Sequence, residues 1–107
     1  MDIIGDADME VELGMRLDNK DITILQMISK GAPSIHEMKD KIFVRSPASV
    51  HNRLVAMEKE GLISSAGFRT IRSRKITPKG LKVLRISEAI DEDSFRVKMK
   101  EIEDETL

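Results

Sequence analysis

The segment from Pro33 to Ile63 contains two short helical patterns joined by a three-residue turn, and it constrains the fold more than any other feature. The first pattern opens with Ser34 and has Glu37 three residues later, which is the spacing of a capping box. Its apolar residues recur every three or four positions and line one helical face. The second pattern opens with Ser46-Pro47, an N-cap followed by proline at the first helical position. The spacing predicts a helix-turn-helix.

The second helix is predicted to bury one stripe, formed by Val50, Leu54 and Met57, and to stop at Gly61. Its opposite face is small or polar, which suits a major groove because small residues permit close approach and asparagine can read adenine. Any surface helix has such a face, so the whole pattern, rather than one residue, favours DNA contact. The residues that we expect to contact DNA on and beside this helix are Arg45, Ser46, Ala48, Ser49, His51, Asn52 and Arg53.

A basic segment follows this helix and predicts a β-hairpin, or wing, over residues 64–75. Ile76 is expected to close its second strand on the core, and Thr77-Pro78 to start another helix. A run of like charges is usually a solvated surface, but a cationic hairpin beside a recognition helix suits phosphates or a minor groove. The cations that we expect to contact DNA here are Arg69, Arg72, Arg74 and Lys75.

Upstream of these elements, Asp18 or Asn19 can cap a further helix. The predicted order is therefore helix, helix, helix, hairpin, helix. We expect an α+β fold, mainly α, of the winged helix-turn-helix type, with a three-helix core, a β-hairpin wing and a following helix. This DNA-binding domain should occupy residues 18–86, between an acidic N-terminal extension over 1–17 and an acidic C-terminal segment over 87–107.

The residues from Pro33 to Ile63 resemble the DNA-binding domain of the LexA repressor family, above all in Ile42-Phe43-Val44-Arg45-Ser46-Pro47 and the helix that follows. The resemblance implies that bases are read from the start of the recognition helix. Those positions fall here on Ser46, Ala48, Ser49, His51 and Asn52.

Two departures qualify the resemblance. Where the family usually has acidic residues, this chain has His51 and Asn52, so the resemblance implies a different target sequence. No counterpart of the family's self-cleaving peptidase domain is present in the sequence, and we expect no autoproteolysis. Beyond the wing, Ile76-Thr77-Pro78-Lys79-Gly80-Leu81 instead resembles the strand-to-helix junction of MarR-like and PadR-like winged-helix regulators.

The net charge of −1 conceals charges that are sorted along the chain. Residues 18–86 hold 14 Lys and Arg against 6 Asp and Glu, whereas residues 1–17 hold 5 acids and one Arg, and residues 87–107 hold 8 acids and 3 bases. Nucleic-acid binding would explain a basic centre, although acidic tails are also common solubilising devices. One hypothesis is that the acidic ends compete with DNA for the basic face.

The N-terminal extension alternates apolar and polar residues with the period of a β-strand. Such a strand could join the sheet of the wing or pair with a second chain, or the segment could instead form a helical arm on the core. The alternating apolar residues are Met9, Val11, Leu13, Met15 and Leu17.

At the C-terminal end, Ser94 is expected to cap a helix with Phe95, Met99 and Ile102 on one side. Terminal helices of this kind often dimerise small winged-helix proteins, and a two-fold dimer reads two half-sites. We therefore expect a homodimer, the alternative being a disordered acidic tail.

Several classes of function are excluded or disfavoured by what the sequence lacks. Without cysteine there is no disulfide, thiolate zinc site or cysteine nucleophile. No glycine-rich phosphate loop, metal-ligand spacing, signal peptide or membrane-spanning run is present. We expect a cytoplasmic protein that is not an enzyme and needs no cofactor, metal or membrane.

The function that these features favour is a sequence-specific, double-stranded DNA-binding transcriptional regulator. A repressor is favoured over an activator, because a small protein without an effector domain acts most simply by occluding a promoter. The alternative is a winged-helix protein-protein interaction module without specific DNA binding.

Overall fold

The computed structural model describes residues 2–6, 9–31, 33–64 and 74–105. The helices are α1 (Asn19–Lys30), α2 (Ile35–Lys41), α3 (Pro47–Lys59), α4 (Pro78–Ile86) and α5 (Glu92–Glu105). The strands are β1 (Asp2–Asp6), β2 (Met9–Leu13), β3 (Ile63–Ser64) and β4 (Lys75–Ile76).

One hydrophobic core joins the helices to both small sheets. Helix α1 packs against α2, α4 and β4, while α2 packs against α3. The order of three helices, a two-stranded sheet and a fourth helix is the one predicted for residues 18–86. The buried apolar side chains are Val11, Leu13, Ile24, Leu25, Ile28, Met38, Ile42, Val50, Leu54, Met57, Leu62, Ile63, Ile76, Leu81, Val83 and Leu84.

Short polar side chains start α1, α2 and α4 where the sequence predicts. Asp18 caps α1 in a reciprocal capping box with Asp21. Ser34 caps α2 by accepting a hydrogen bond from the Glu37 N–H at 3.1 Å. The other half of the expected capping box, a bond from the Ser34 N–H to the Glu37 side chain, does not form between these two described residues. Thr77 caps α4 by accepting from the Gly80 N–H at 3.1 Å. These caps fix where each helix enters the core.

The base of the predicted wing is held tightly against α4. Strands β3 and β4 pair antiparallel, with Ile63 opposite Ile76, and the Thr77 N–H donates to the Leu62 carbonyl at 3.1 Å. Gly80 permits the close approach, because a Cβ atom there would overlap the Leu62 carbonyl oxygen and lie 2.8 Å from Cγ1 of Ile76.

The N-terminal segment adopts none of the three arrangements left open above, which were pairing with the wing, pairing with a second chain, and a helical arm. Strand β2 pairs antiparallel with β1, with Ile4 opposite Val11, and it ends at Leu13 rather than continuing to residue 17. Only two residues separate the strands, so the chain pairs with itself locally. The hairpin packs on α4, and Val11 and Leu13 are buried in the core.

Helix α5 begins two residues before the expected cap at Ser94. Asp91 is the residue that caps it, because its Oδ1 accepts from the Ser94 N–H at 2.7 Å and its carbonyl accepts from the Phe95 N–H. A carboxylate three residues upstream thus takes the capping role expected of the Ser94 hydroxyl. The helix packs on α4, with Phe95, Met99 and Ile102 partly buried as the pattern predicts.

Candidate nucleic-acid interface

Helix α3 is fixed in the molecule by its start and by its buried stripe. Ser46 caps it, accepting from the Ala48 N–H at 3.1 Å, and Pro47 follows at the first helical position. Val50, Leu54 and Met57 are fully buried, as the apolar spacing predicts. The helix ends before Gly61, whose φ of 78° is left-handed. The opposite face of α3 is thereby held outward.

The outward face of α3 brings most of the predicted contact residues onto one surface. Ser46, Ala48, His51 and Asn52 are exposed, and Ser49 is partly exposed on the flank. Val55 continues this face toward the C-terminal end of the helix and is 48% exposed. The surface combines hydrogen-bonding groups with short side chains, so another molecule can approach the helix backbone closely.

The turn before α3 contains an exposed aromatic side chain that the sequence analysis did not single out. Phe43 is 90% exposed and has a φ of 57°, in the left-handed region that bulky residues seldom adopt. The turn is closed by the Phe43 N–H on the Asp40 carbonyl and the Val44 N–H on the Lys39 carbonyl, both at 3.3 Å. Arg45, two residues later, is exposed.

Arg53, predicted as a DNA contact, has carboxylate partners within the chain. Its Nη1 donates to Asp18 Oδ1 at 2.8 Å and to Asp21 Oδ1 at 2.9 Å, and its side chain is 24% exposed. Asp21 is buried, with only 5% of its side chain exposed. This cluster joins the middle of α3 to the N-terminal cap of α1.

The cluster also shifts the pKa values of Asp18 and Arg53. Burial raises the pKa of Asp18, but the hydrogen bond from the Asp21 N–H and the interaction with Arg53 outweigh it, so the pKa lies below its ordinary value. Burial lowers the pKa of Arg53, and its bonds to Asp21 and Asp18 reverse that effect and raise it. The two carboxylates therefore more than offset the effect of burial on the charged guanidinium.

Two of the four predicted wing cations are described. Arg69 and Arg72 lie outside the described residues. Lys75 is exposed on β4, whereas Arg74 is partly buried, with its Nε and Nη1 atoms lacking a hydrogen-bond partner among the described residues.

The described part of the chain contains neither a metal-binding cluster nor a membrane-spanning helix. Across residues 2–6, 9–31, 33–64 and 74–105, no group of three or more His, Asp or Glu residues is placed to hold a metal ion. None of the helices in these same ranges combines the length and apolar character needed to cross a bilayer.

The elements described above define a winged helix, mainly α with two small sheets, and the predicted fold class is confirmed. Residues 22–70 match the family model of the LexA DNA binding domain. The match contains the segment 33–63, in which the resemblance was noted, and extends from α1 into the segment 64–75 where a wing is predicted. No curated protein and no solved structure matches the chain significantly. The likeness of residues 76–81 to MarR-like and PadR-like regulators stays a prediction.

Proposed function

We propose that this chain is a sequence-specific regulator that binds double-stranded DNA with α3 in the major groove and the segment 64–75 on the adjacent backbone or minor groove. The observation that carries this proposal is the outward face of α3, which carries short and polar side chains near the start of the helix. This face lies within a segment similar to the LexA DNA binding domain. A helix enters the major groove most easily where its side chains are small.

In this proposal the residues near the start of α3 divide into two roles. Ser46, Ala48, Ser49, His51 and Asn52 face base edges, while Arg45 contacts the backbone near the helix N-terminus. Arg53, whose Nη1 is already paired, contributes by fixing the orientation of α3 against α1.

The wing supplies further backbone contacts. The cations assigned to it are Arg69, Arg72, Arg74 and Lys75. The excess of Lys and Arg over Asp and Glu in residues 18–86 supports this assignment, since phosphate contacts draw on positive charge.

Regulation in this proposal is repression in the cytoplasm, by occlusion of a promoter, without a cofactor, a metal or a catalytic step. Such a role requires only occupancy of the DNA, and the described residues can provide it through one recognition helix and its flanks.

A homodimer would raise the affinity of so small an interface by reading two half-sites. On α5, Val97 is 56% exposed, and Phe95 and Met99 on the other side of the helix are only partly buried on the core, so apolar side chains of this helix remain accessible. Light scattering across protein concentration tests this: a mass near 24 kDa is expected and a constant 12.1 kDa monomer would refute it.

A protein-protein interaction module is the second candidate, and exposed apolar residues beside α3 favour it. Phe43 at 90% exposure and Val55 at 48% lie on the turn and on the outward face. Apolar side chains in such positions are common at protein interfaces.

Fluorescence anisotropy of the chain with a mixed pool of short duplexes, titrated from about 50 to 200 mM salt, tests the proposal. Binding should weaken steeply as salt rises, and a preferred sequence can then be selected from the pool. On that sequence, Asn52→Ala should lose about 1–3 kcal/mol of affinity. Arg72→Ala should weaken binding to every duplex and reduce the salt slope by about 1.

The matched control is Lys100→Ala, which removes an exposed cation on α5, away from α3. It should leave affinity and salt slope unchanged. Absence of binding at the lowest salt would refute DNA recognition and favour the interaction module. Equal losses for Asn52→Ala on the selected and random duplexes would refute base reading.

A further inference from the structure

The segment Gly14–Asp18, between β2 and α1, holds a cation beside the recognition helix. Met15 and Leu17 are partly buried against the core, whereas Arg16 between them is exposed. Because neighbouring residues in an extended segment face opposite ways, anchoring Met15 and Leu17 turns Arg16 outward.

Hydrogen bonds to α3 and its C-cap fix both ends of this segment. At one end the Gly14 N–H donates to Oε2 of Glu60, the C-cap residue of α3, at 2.8 Å. At the other end Asp18 accepts from Arg53 in the middle of α3. The segment therefore runs along the flank of α3, from its C-terminal end towards its middle.

The placement brings Arg16 next to residues proposed to face DNA. Arg16 lines a shallow depression of about 390 Å³ together with Ser49, Asn52 and Ala56 of α3. Asn52 is exposed and Ser49 partly exposed at this edge, so the guanidinium borders the outward face of α3. When a helix occupies the major groove, the phosphates of the groove wall lie along its flanks.

The charges around the depression leave Arg16 available for an anion. Asp18 and Asp21 also line it, but both are bonded to Arg53, and Asp21 is buried. Arg16 makes no ion pair with any residue that the structure describes. Arg16 is the one cation of residues 1–17, and it forms no ion pair with Glu10 or Glu12 of β2.

We infer that Arg16 contacts a DNA phosphate on the flank of α3, so that the N-terminal segment is part of the interface. The inference rests on the proposed DNA-binding function and adds a contact outside residues 22–70, the segment similar to the LexA DNA binding domain. A guanidinium suits this role, because its planar donors bond phosphate oxygens in pairs.

Salt titrations of Arg16→Gln and Arg16→Lys, with Lys100→Gln as control, test the inference on a fluorescent random-sequence duplex. One lost phosphate contact lowers the salt slope by about 0.9, so the ratio of wild-type to Arg16→Gln affinity should shrink about 3.5-fold between roughly 50 and 200 mM salt. Arg16→Lys keeps the charge and should retain the wild-type slope, as should Lys100→Gln. Melting temperatures should not change, because Arg16 is exposed and unpaired among the described residues.

Arg45→Gln separates failure of this inference from failure of the proposed function. If Arg45→Gln weakens binding while Arg16→Gln has the wild-type slope, the Arg16 contact is refuted and DNA binding stands. If the wild-type chain does not bind the duplex at about 50 mM salt, both are refuted. A loss at Arg16→Gln that is confined to one selected sequence, with an unchanged slope, would also refute a phosphate contact.

Discussion

Replacing Arg53 with alanine should destabilise the fold, because it removes the charged partner of the buried Asp21 carboxylate. The bond from Arg53 Nη1 to Asp21 Oδ1 is 2.9 Å long and its acceptor side chain is 5% exposed. Hydrogen bonds to charged groups contribute about 1.5–3 kcal/mol, and a buried acceptor left without its partner costs a similar amount. The bond to Asp18, whose side chain is 57% exposed, adds about 0.2–1 kcal/mol.

The expected loss in the free energy of unfolding for Arg53→Ala is therefore about 2–3 kcal/mol, or roughly 10–20 °C in the melting temperature of a domain this small. Urea denaturation followed by circular dichroism measures it. In a double-mutant cycle with Asp21→Ala, the double variant should lose about 1–2 kcal/mol less than the sum of the two single losses, since either change alone breaks the same bond.

Asn52→Ala is the matched control, one residue away on α3 but exposed. Its free energy of unfolding should stay within about 0.5 kcal/mol of wild type. Additive losses for Arg53→Ala and Asp21→Ala, within about 0.3 kcal/mol, would refute the view that this pair joins α3 to α1.

Three further changes test other parts of the fold. Phe43→Gly should stabilise the protein by about 0.5–1 kcal/mol in urea denaturation, because the strain of a left-handed phenylalanine exceeds the entropy cost of glycine; a loss would contradict that conformation. Gly80→Ala should lower the free energy of unfolding by about 2 kcal/mol in the same assay, since its Cβ would overlap the Leu62 carbonyl. A higher free energy of unfolding, from the better helix propensity of alanine, would show that α4 and β3 lie further apart. Because the folded pKa of Asp18 lies below its ordinary value, its contribution to stability is complete above about pH 4 and is lost as pH falls through the folded pKa. Asp18→Asn should therefore show a smaller fall in melting temperature than wild type on acidification, and an equal fall would contradict the shift.

Local signals in the sequence were sufficient to predict most helix starts and the buried stripe of α3. Ser46-Pro47 and Thr77-Pro78 each combine a side-chain acceptor with a residue that fixes the first helical φ, so each helix starts where its own residues require. Spacing alone placed Val50 and Leu54 in the core. These features depend on residues within one or two turns of each other.

Contacts between distant residues account for what the sequence did not predict. Helical geometry put Arg53 on the flank of α3, but nothing in the sequence ties it to Asp18 and Asp21, which are 35 and 32 residues earlier. The short spacing of these two acids predicts a helix cap, but it does not predict that they also bind Arg53.

The hairpin and the turn were missed for different reasons. Strand β1 contains adjacent isoleucines and Gly5 rather than a clear alternation, so the partner of β2 gave no strand signal of its own. Phe43 occupies a left-handed position usually taken by glycine, and its identity argues against the conformation that it adopts.

The central claim is that DNA meets the outward face of α3 and its flanks, and amide chemical shifts of the labelled chain titrated with a short duplex test it most directly. The account predicts that the shifts which move cluster at residues 45–52 and 14–16 and in the segment 64–75, while those of α5 stay in place. Movement centred on α5, or none at roughly 50 mM salt, would contradict it.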